Sequence, residues 1–228
     1  MMKIRNHMRL SDKTLNLLKN FCTINQSILF RKGNKLRTIS VMKNILAEAE
    51  IPEDLPKDFG VYELNKFLTL MSLCQTPEID FANSGHLLIK DGNRTSKFFF
   101  ADPNVIVTPP EKEIEFPAAD VSFDLSTSDL ETLLKAAGVI DAPDLSAIGD
   151  GSVIKLVVRD KKNPTSNDFS IVAGETDKTF TCNFKVENIK ILPGNYTVTI
   201  SSKLLSLFSS TKQNLKYYIA LEPDSTFE

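Results

Sequence analysis

Thr108-Pro109-Pro110-Glu111-Lys112-Glu113-Ile114-Glu115-Phe116-Pro117 divides the chain near its middle. Each proline fixes φ and removes a backbone donor, and the charged residues favour solvent, so the segment reads as a stiff, extended connector. On both sides of it the same order recurs, helix, strands, helix, strands, once in residues 8–107 and again in 118–221. Two structural repeats of similar topology are expected, although residue-level identity between the halves is low.

The elements are legible from periodicity and turn residues. Ser11 is placed to cap a helix whose apolar stripe is Leu15, Leu17, Leu18 and Phe21. Val61–Leu73 puts Leu64, Phe67, Leu68 and Met71 on one side. A third helix carries Leu130, Leu133, Leu134 and Ala137, with Ser126/Asp129 and Ser128/Glu131 as two possible capping registers and Gly138 as a stop. A short fourth, Val186–Ile191, is halted by Pro193-Gly194. Strands are expected at 27–31 and 35–41 around Lys32-Gly33-Asn34, and at 78–82 and 86–90 around Asn83-Ser84-Gly85. Asp91-Gly92-Asn93 turns the chain into a further strand at 95–100. These read as hairpins of an antiparallel meander. In the second half, strands are expected at 121–125, 152–159, 169–173, 179–185, 196–201 and 215–221. The fold class is α+β, with an extension over 1–7, domains at 8–107 and 118–228, and the connector 108–117 between them.

With 42% hydrophobic and 25% charged residues in 228, the chain has the composition of a packed globular protein rather than a disordered, collagen-like or disulfide-rich one. No apolar run is long enough to span a membrane, and residues 1–10 lack the apolar stretch of a signal peptide. A cytoplasmic location is therefore expected. Cys22, Cys74 and Cys182 are scattered and read as reduced thiols. The net charge of −2 conceals an asymmetry: residues 1–43 hold ten bases and one acid, residues 44–160 nine bases and 21 acids, and residues 161–228 eight bases and seven acids. Such a chain presents two electrostatic faces.

Catalytic chemistry has little to stand on. His7 and His86 belong to no metal-binding spacing, no phosphate-cradling glycine loop or nucleophile elbow occurs, and Gly149-Asp150-Gly151 reads as a turn. The acids Glu48/Glu50/Glu53/Asp54 and Glu111/Glu113/Glu115 read as solvated faces. No catalytic residue, metal or cofactor is expected, and the protein is not expected to be an enzyme. What does recur is lysine on helix faces opposite the core. Lys13, Asn16, Lys19 and Asn20 form one polar stripe, Lys66 and Lys135 lie away from the apolar sides of their helices, and Lys190 closes the fourth. A surface of lysines and amides suits sequence-independent contact with phosphates, and no arginine-rich helix or aromatic platform argues for base readout.

Taken together, the chain resembles the DNA polymerase sliding clamps of T-even-type bacteriophages. The resemblance runs through Met8-Arg9-Leu10-Ser11, Leu17-Leu18-Lys19-Asn20-Phe21 and Thr23-Ile24-Asn25, then Tyr62-Glu63-Leu64-Asn65, Phe67-Leu68 and Leu70-Met71-Ser72-Leu73. It continues in Pro193-Gly194-Asn195-Tyr196 and in the closing stretch from Tyr218 to Thr226. Asp144–Asp150 and Leu215-Lys216-Tyr217-Tyr218 are also similar to the eukaryotic clamp. The likeness covers about residues 8–228.

The resemblance implies a homotrimeric ring of two-domain subunits, with helices lining the hole and antiparallel sheets outside. Such a ring encircles duplex DNA, tethers the replicative polymerase through a C-terminal or internal hydrophobic peptide, is opened by an ATP-driven clamp loader, and contacts late-transcription factors of RNA polymerase. It implies Lys19, Lys135 and Lys190 as DNA-facing, with Lys13 and Lys66 as less direct matches to the family pattern. It implies a partner-peptide pocket of Val41, Met42, Ile114, Phe116, Pro193, Tyr218, Leu221 and Pro223, for several of which core packing is the competing reading. It implies subunit contacts through edge strands, here 95–100 and 169–173, with Thr95, Phe98, Phe100, Phe169, Ile171 and Ala173. The competing reading is a scaffold of clamp-like domains that holds proteins but not DNA.

Overall fold

The computed structural model describes residues 7–228; of the extension expected at 1–7, only His7 lies among the described residues. The chain forms two compact units, 1–111 and 112–228.

The first unit runs β1 (His7–Met8), α1 (Asp12–Ile24), β2 (Ile28–Phe30), β3 (Gly33–Ile39), β4 (Ile45–Leu55), β5 (Phe59–Val61), α2 (Leu64–Ser72), β6 (Glu78–Asp80), β7 (His86–Asp91) and β8 (Arg94–Phe99). Strands β1, β6, β7 and β8 lie side by side in that order, all antiparallel. The reading of 27–31 and 35–41 as one hairpin does not hold, because β2 pairs with β5 and β3 with β4. Asp58 explains the break: it accepts from Arg31 Nη1 at 2.8 Å and from the Lys32 amide at 2.7 Å, tying the expected turn to the residue before β5. The β7–β8 turn is as expected. Gly92 takes a φ of 59°, the positive value that a two-residue hairpin loop wants at its first position.

The second unit runs β9 (Val121–Leu125), α3 (Thr127–Val139), β10 (Asp144–Asp150), β11 (Val153–Arg159), β12 (Phe169–Glu175), β13 (Thr179–Lys185), β14 (Tyr196–Ser201), β15 (Leu205–Ser210), β16 (Leu215–Ala220) and β17 (Thr226–Phe227). Its strands reproduce the connectivity of the first. Strands β9, β14, β15 and β16 are neighbours in the order of β1, β6, β7 and β8, and β11–β12 and β10–β13 mirror β3–β4 and β2–β5. The repeat visible in the sequence is therefore one of topology. It differs in two places: β10 pairs with β11 where β2 and β3 do not pair, and where α2 stands in the first unit the second has a 3-10 turn, Val186–Asn188. The fourth helix expected at 186–191 is corrected to this turn, and Lys190 lies beyond it rather than on a helix.

Helices α1 and α3 are fixed by a serine cap and an apolar stripe, while α2 has the stripe but no side-chain cap. Ser11 Oγ accepts from the Thr14 amide at 3.3 Å, and α1 buries Leu17, Leu18 and Phe21 against α2 and β4. Ser126 Oγ accepts from the Asp129 amide at 3.1 Å, which selects the first of the two capping registers, and α3 buries Leu130, Leu133 and Ala137. In the first core Phe30 stacks on Phe59 with centroids 4.5 Å apart, and Phe81 and Phe100 close on the same ring. In the second, Tyr196 meets Phe208 and Tyr217 edge-on. Gly149 lies within β10, where a Cβ would come 2.3 Å from the Phe180 ring, and the chain turns at Gly151-Ser152, between β10 and β11.

Candidate DNA-facing helices, edge strands and peptide pocket

Lys13 and Lys19 are exposed on α1 and Lys135 on α3. Lys66 is exposed on α2, where its Nζ lies 2.7 Å from Glu63, so part of its charge is spent locally. Lys190 is half-buried. The first helix is held at its N-terminus by a carboxylate from β4. Glu53 Oε1 accepts from the Ser11 amide and Oε2 from Thr14 Oγ1, both at 2.5 Å. Burial pushes the Glu53 carboxyl up, but the bonds from Thr14 and Ser11 outweigh it and the net shift is downward. The third helix is held by Asn195, whose Oδ1 accepts from the Thr127 amide at 2.8 Å and from Thr127 Oγ1 at 2.9 Å. The Pro193–Tyr196 corner thus sets the position of α3. A groove between α1 and α2 is lined by Arg9, Lys19, Ser72, Gln75 and Thr76 over Leu15, Leu68 and Met71. Arg9, Ser72 and Gln75 were missed as candidates, since only the folded chain brings them beside Lys19.

The basic block of residues 1–43 is not wholly a helix feature. Arg31 pairs with Asp58 and lies 3.9 Å from Glu111; Arg37 lies 3.5 Å from Glu48 and donates to the Pro110 carbonyl. Two of the block's ten bases are thus answered within the first unit by acids and a carbonyl that follow them in sequence. The helix faces are left with modest positive charge, and α3 carries Asp129 and Glu131 beside Lys135.

Both candidate joint strands lie at sheet edges: β8 ends β1-β6-β7-β8 opposite β1, and β12 ends β12-β11-β10-β13-β17 opposite β17. On β8, Phe98 leans inward onto Phe67 and the following Phe100 onto Phe59, at 5.5 and 5.4 Å between centroids, while Phe99 is 68% exposed. On β12, Phe169, Ile171 and Ala173 are half-buried and Val172 is 63% exposed. Thr95 is exposed. The period-two alternation of a strand leaves Phe99 and Val172 as the outward apolar residues, and neither was a candidate.

The pocket residues fall in both units. Val41 and Met42, 67% and 82% exposed, stand on a turn that Ser40 Oγ braces by accepting from the Asn44 and Ile45 amides at 3.1 Å. In the second unit Ile114 and Phe116 are half-buried, and Pro193 and Pro223 are exposed. Tyr218 and Leu221 are both buried, each 5% exposed. Adjacent exposed apolar side chains on a braced turn are the kind of patch that contacts a partner.

The thiols are free, and burial pushes the Cys182 thiol up to about 12, which makes it inert. Among the described residues no helix is long and apolar enough to cross a membrane, and no cluster of His, Cys, Asp or Glu is grouped to hold a metal.

The family of DNA polymerase processivity factors matches residues 10–108. The chain is 32% identical to the sliding clamp of Escherichia phage RB69 over 233 residues, spanning 97% of this chain and 100% of that one. It is 31% identical to the sliding clamp of Enterobacteria phage T4, again over 97% and 100% of the two chains. Its fold superposes on PCNA of A. fulgidus, solved with the C-terminal region of FEN-1 bound, with a TM-score of 0.69 at 14% identity over 96% of this chain and 98% of that one. Such identity along the whole length, carried on a doubled α+β architecture, means that the chain belongs to the sliding clamps of DNA polymerase, the processivity factors of T-even-type bacteriophages.

Proposed function

We propose that this processivity factor works as a closed ring of three copies that encircles duplex DNA and tethers the replicative polymerase to it. The observation that carries the reading is the pair of unlike edges, β8 in one unit and β12 in the other. An unpaired strand edge with an outward phenylalanine or valine is a liability unless another chain covers it. Because β8 and β12 are different surfaces, pairing one with the other is head-to-tail, and head-to-tail contacts that close generate rings rather than two-fold dimers. Three copies supply six clamp units.

On a ring, the exposed Lys13 and Lys19 of α1, Lys66 of α2 and Lys135 of α3, together with Lys190, would face the phosphates. Their charge is modest, so the protein–DNA contact is weak and labile to salt, and retention comes from topology. That combination allows sliding. Strong cationic binding would arrest it. Within the second unit Ile114, Phe116, Pro193 and Pro223 would take a hydrophobic peptide from the polymerase, with Tyr218 and Leu221 packed behind, and the braced Val41–Met42 turn of the first unit would be an apolar partner contact in its own right. A closed ring must be opened to reach DNA, which calls for an ATP-driven loader, and late-transcription factors would use the same docking surface. Light scattering at rising concentration tests the assembly: the expected mass is three chains, and a single chain at every concentration would overturn it.

A further inference from the structure

One side chain ties the C-terminal segment to the second unit. Lys161, in the β11–β12 connection, has a side chain only 11% exposed, and its Nζ lies 2.8 Å from Asp224 Oδ1 and 4.0 Å from Asp144 Oδ1. Asp144 is buried, at 1% exposure, and has a second and closer cation, Lys185 Nζ at 2.6 Å. It also accepts from the Lys161 amide at 3.2 Å. Asn183 completes the cluster. Its Nδ2 donates to Asp224 Oδ1 at 3.2 Å, its amide to Ser225 Oγ at 2.9 Å, and its Oδ1 accepts from Ser146 Oγ at 2.7 Å. Beyond this cluster, the segment is held by the Glu222 amide on Asn183 O, the two-residue pairing of β17 with β13, and the Glu228 amide on Thr179 O. So short a terminal strand is poorly anchored by its own backbone. The hydrogen bond from Lys161 heads the causes that hold the Asp224 carboxyl below its usual range.

We infer that Lys161 is a positioning residue for partner binding: by holding Asp224 it fixes the adjacent Pro223 where the peptide docks. The inference rests on the proposed pocket. The geometry separates this role from folding. Without the Lys161 side chain, Asp144 gives up its longer 4.0 Å pairing with Nζ but keeps Lys185 and the Lys161 amide, so no buried charge is stranded, and the hydrogen bond lost is the one to Asp224. If the released segment holds its docked position about a fifth of the time, apparent affinity for the peptide falls about fivefold.

The test compares the full-length protein with Lys161→Met, Lys161→Arg and Asp224→Asn. Two readouts are taken, binding of a fluorescent peptide carrying the C-terminal sequence of the cognate polymerase, and exchange of the Glu222 and Glu228 amides, which donate to Asn183 O and Thr179 O. The expected result is about fivefold weaker binding and faster exchange for Lys161→Met, recovery of both with Lys161→Arg, and no additional loss when Asp224→Asn is combined with Lys161→Met. Unchanged exchange in Lys161→Met overturns the inference, as does faster exchange with unchanged affinity. Failure of the unaltered protein to bind the peptide overturns the pocket reading instead, and with it the role assigned to Lys161.

Discussion

Arg37 on β3 donates from Nη1 to the carbonyl oxygen of Pro110 at 2.7 Å. The same guanidinium lies 3.5 Å from Glu48 on β4, so one side chain joins a strand pair to the proline-rich segment that leaves the first unit. Replacing it with methionine keeps the aliphatic stem and removes the charge. Arg37→Met is expected to cost about 1–3 kcal/mol, as for a lost charged hydrogen bond, read from urea unfolding. An unchanged midpoint would mean the contact holds nothing.

Glu53 should make the first unit sensitive to acid. Its folded carboxyl titrates below the ordinary glutamate range. Ionised Glu53 therefore adds stability above the unfolded value, and that contribution drains away as the pH falls through the folded one. Glu53→Gln is expected to cost about 1 kcal/mol at neutral pH, the usual worth of a helix cap, and nothing at strongly acid pH. Urea midpoints of both proteins across pH check this. A difference that stays constant with pH would contradict it.

Lys19 and Lys135 are assigned to DNA rather than to the fold. Both are exposed. Lys19→Glu and Lys135→Glu should each impair loading on DNA and leave the unfolding midpoint in place, because neither side chain is part of a core. Neutralising either should lower the salt slope of any residual DNA affinity by about 1. Unchanged loading of the double variant would refute the assignment.

Phe99→Asp and Val172→Asp should each leave only single chains, since every joint of a head-to-tail ring uses both edges. Mixed together they should form a one-to-one complex and grow no further. The intact β8 of one can meet the intact β12 of the other, but the second joint carries both aspartates. Light scattering of the mixture reads this directly, and larger assemblies would contradict the joint.

The sequence made the helices plain because their apolar residues recur at helical spacing next to a capping serine, as Ser11 and Ser126 show. Strand β4 was hidden by its own acids. Glu48 and Glu50 suggested a solvated face, yet they alternate with buried Ala47, Ala49 and Ile51, which is the period of a half-buried strand. Strand β10 was lost for the opposite reason. Asp144 and Ser146 are buried through Lys185 and Asn183, partners some 40 residues away that no local pattern reveals. Lys13, Lys19, Lys66 and Lys135 were legible because each sits on an exposed helix face, whereas Lys190, half-buried beyond the 3-10 turn, was misplaced onto a helix. The answering of Arg31 and Arg37 by Asp58, Glu111 and Pro110 was not, because it depends on tertiary contact.

Retention on DNA tests the central claim most directly. The protein is loaded by the cognate loader and ATP onto closed circular duplex, washed at high salt, and then challenged with an endonuclease that cuts the circle once. Topological linkage requires that it stay on the closed circle through the wash and run off once the circle is cut. Equal loss from circular and linear DNA, or equal persistence on both, would contradict the account.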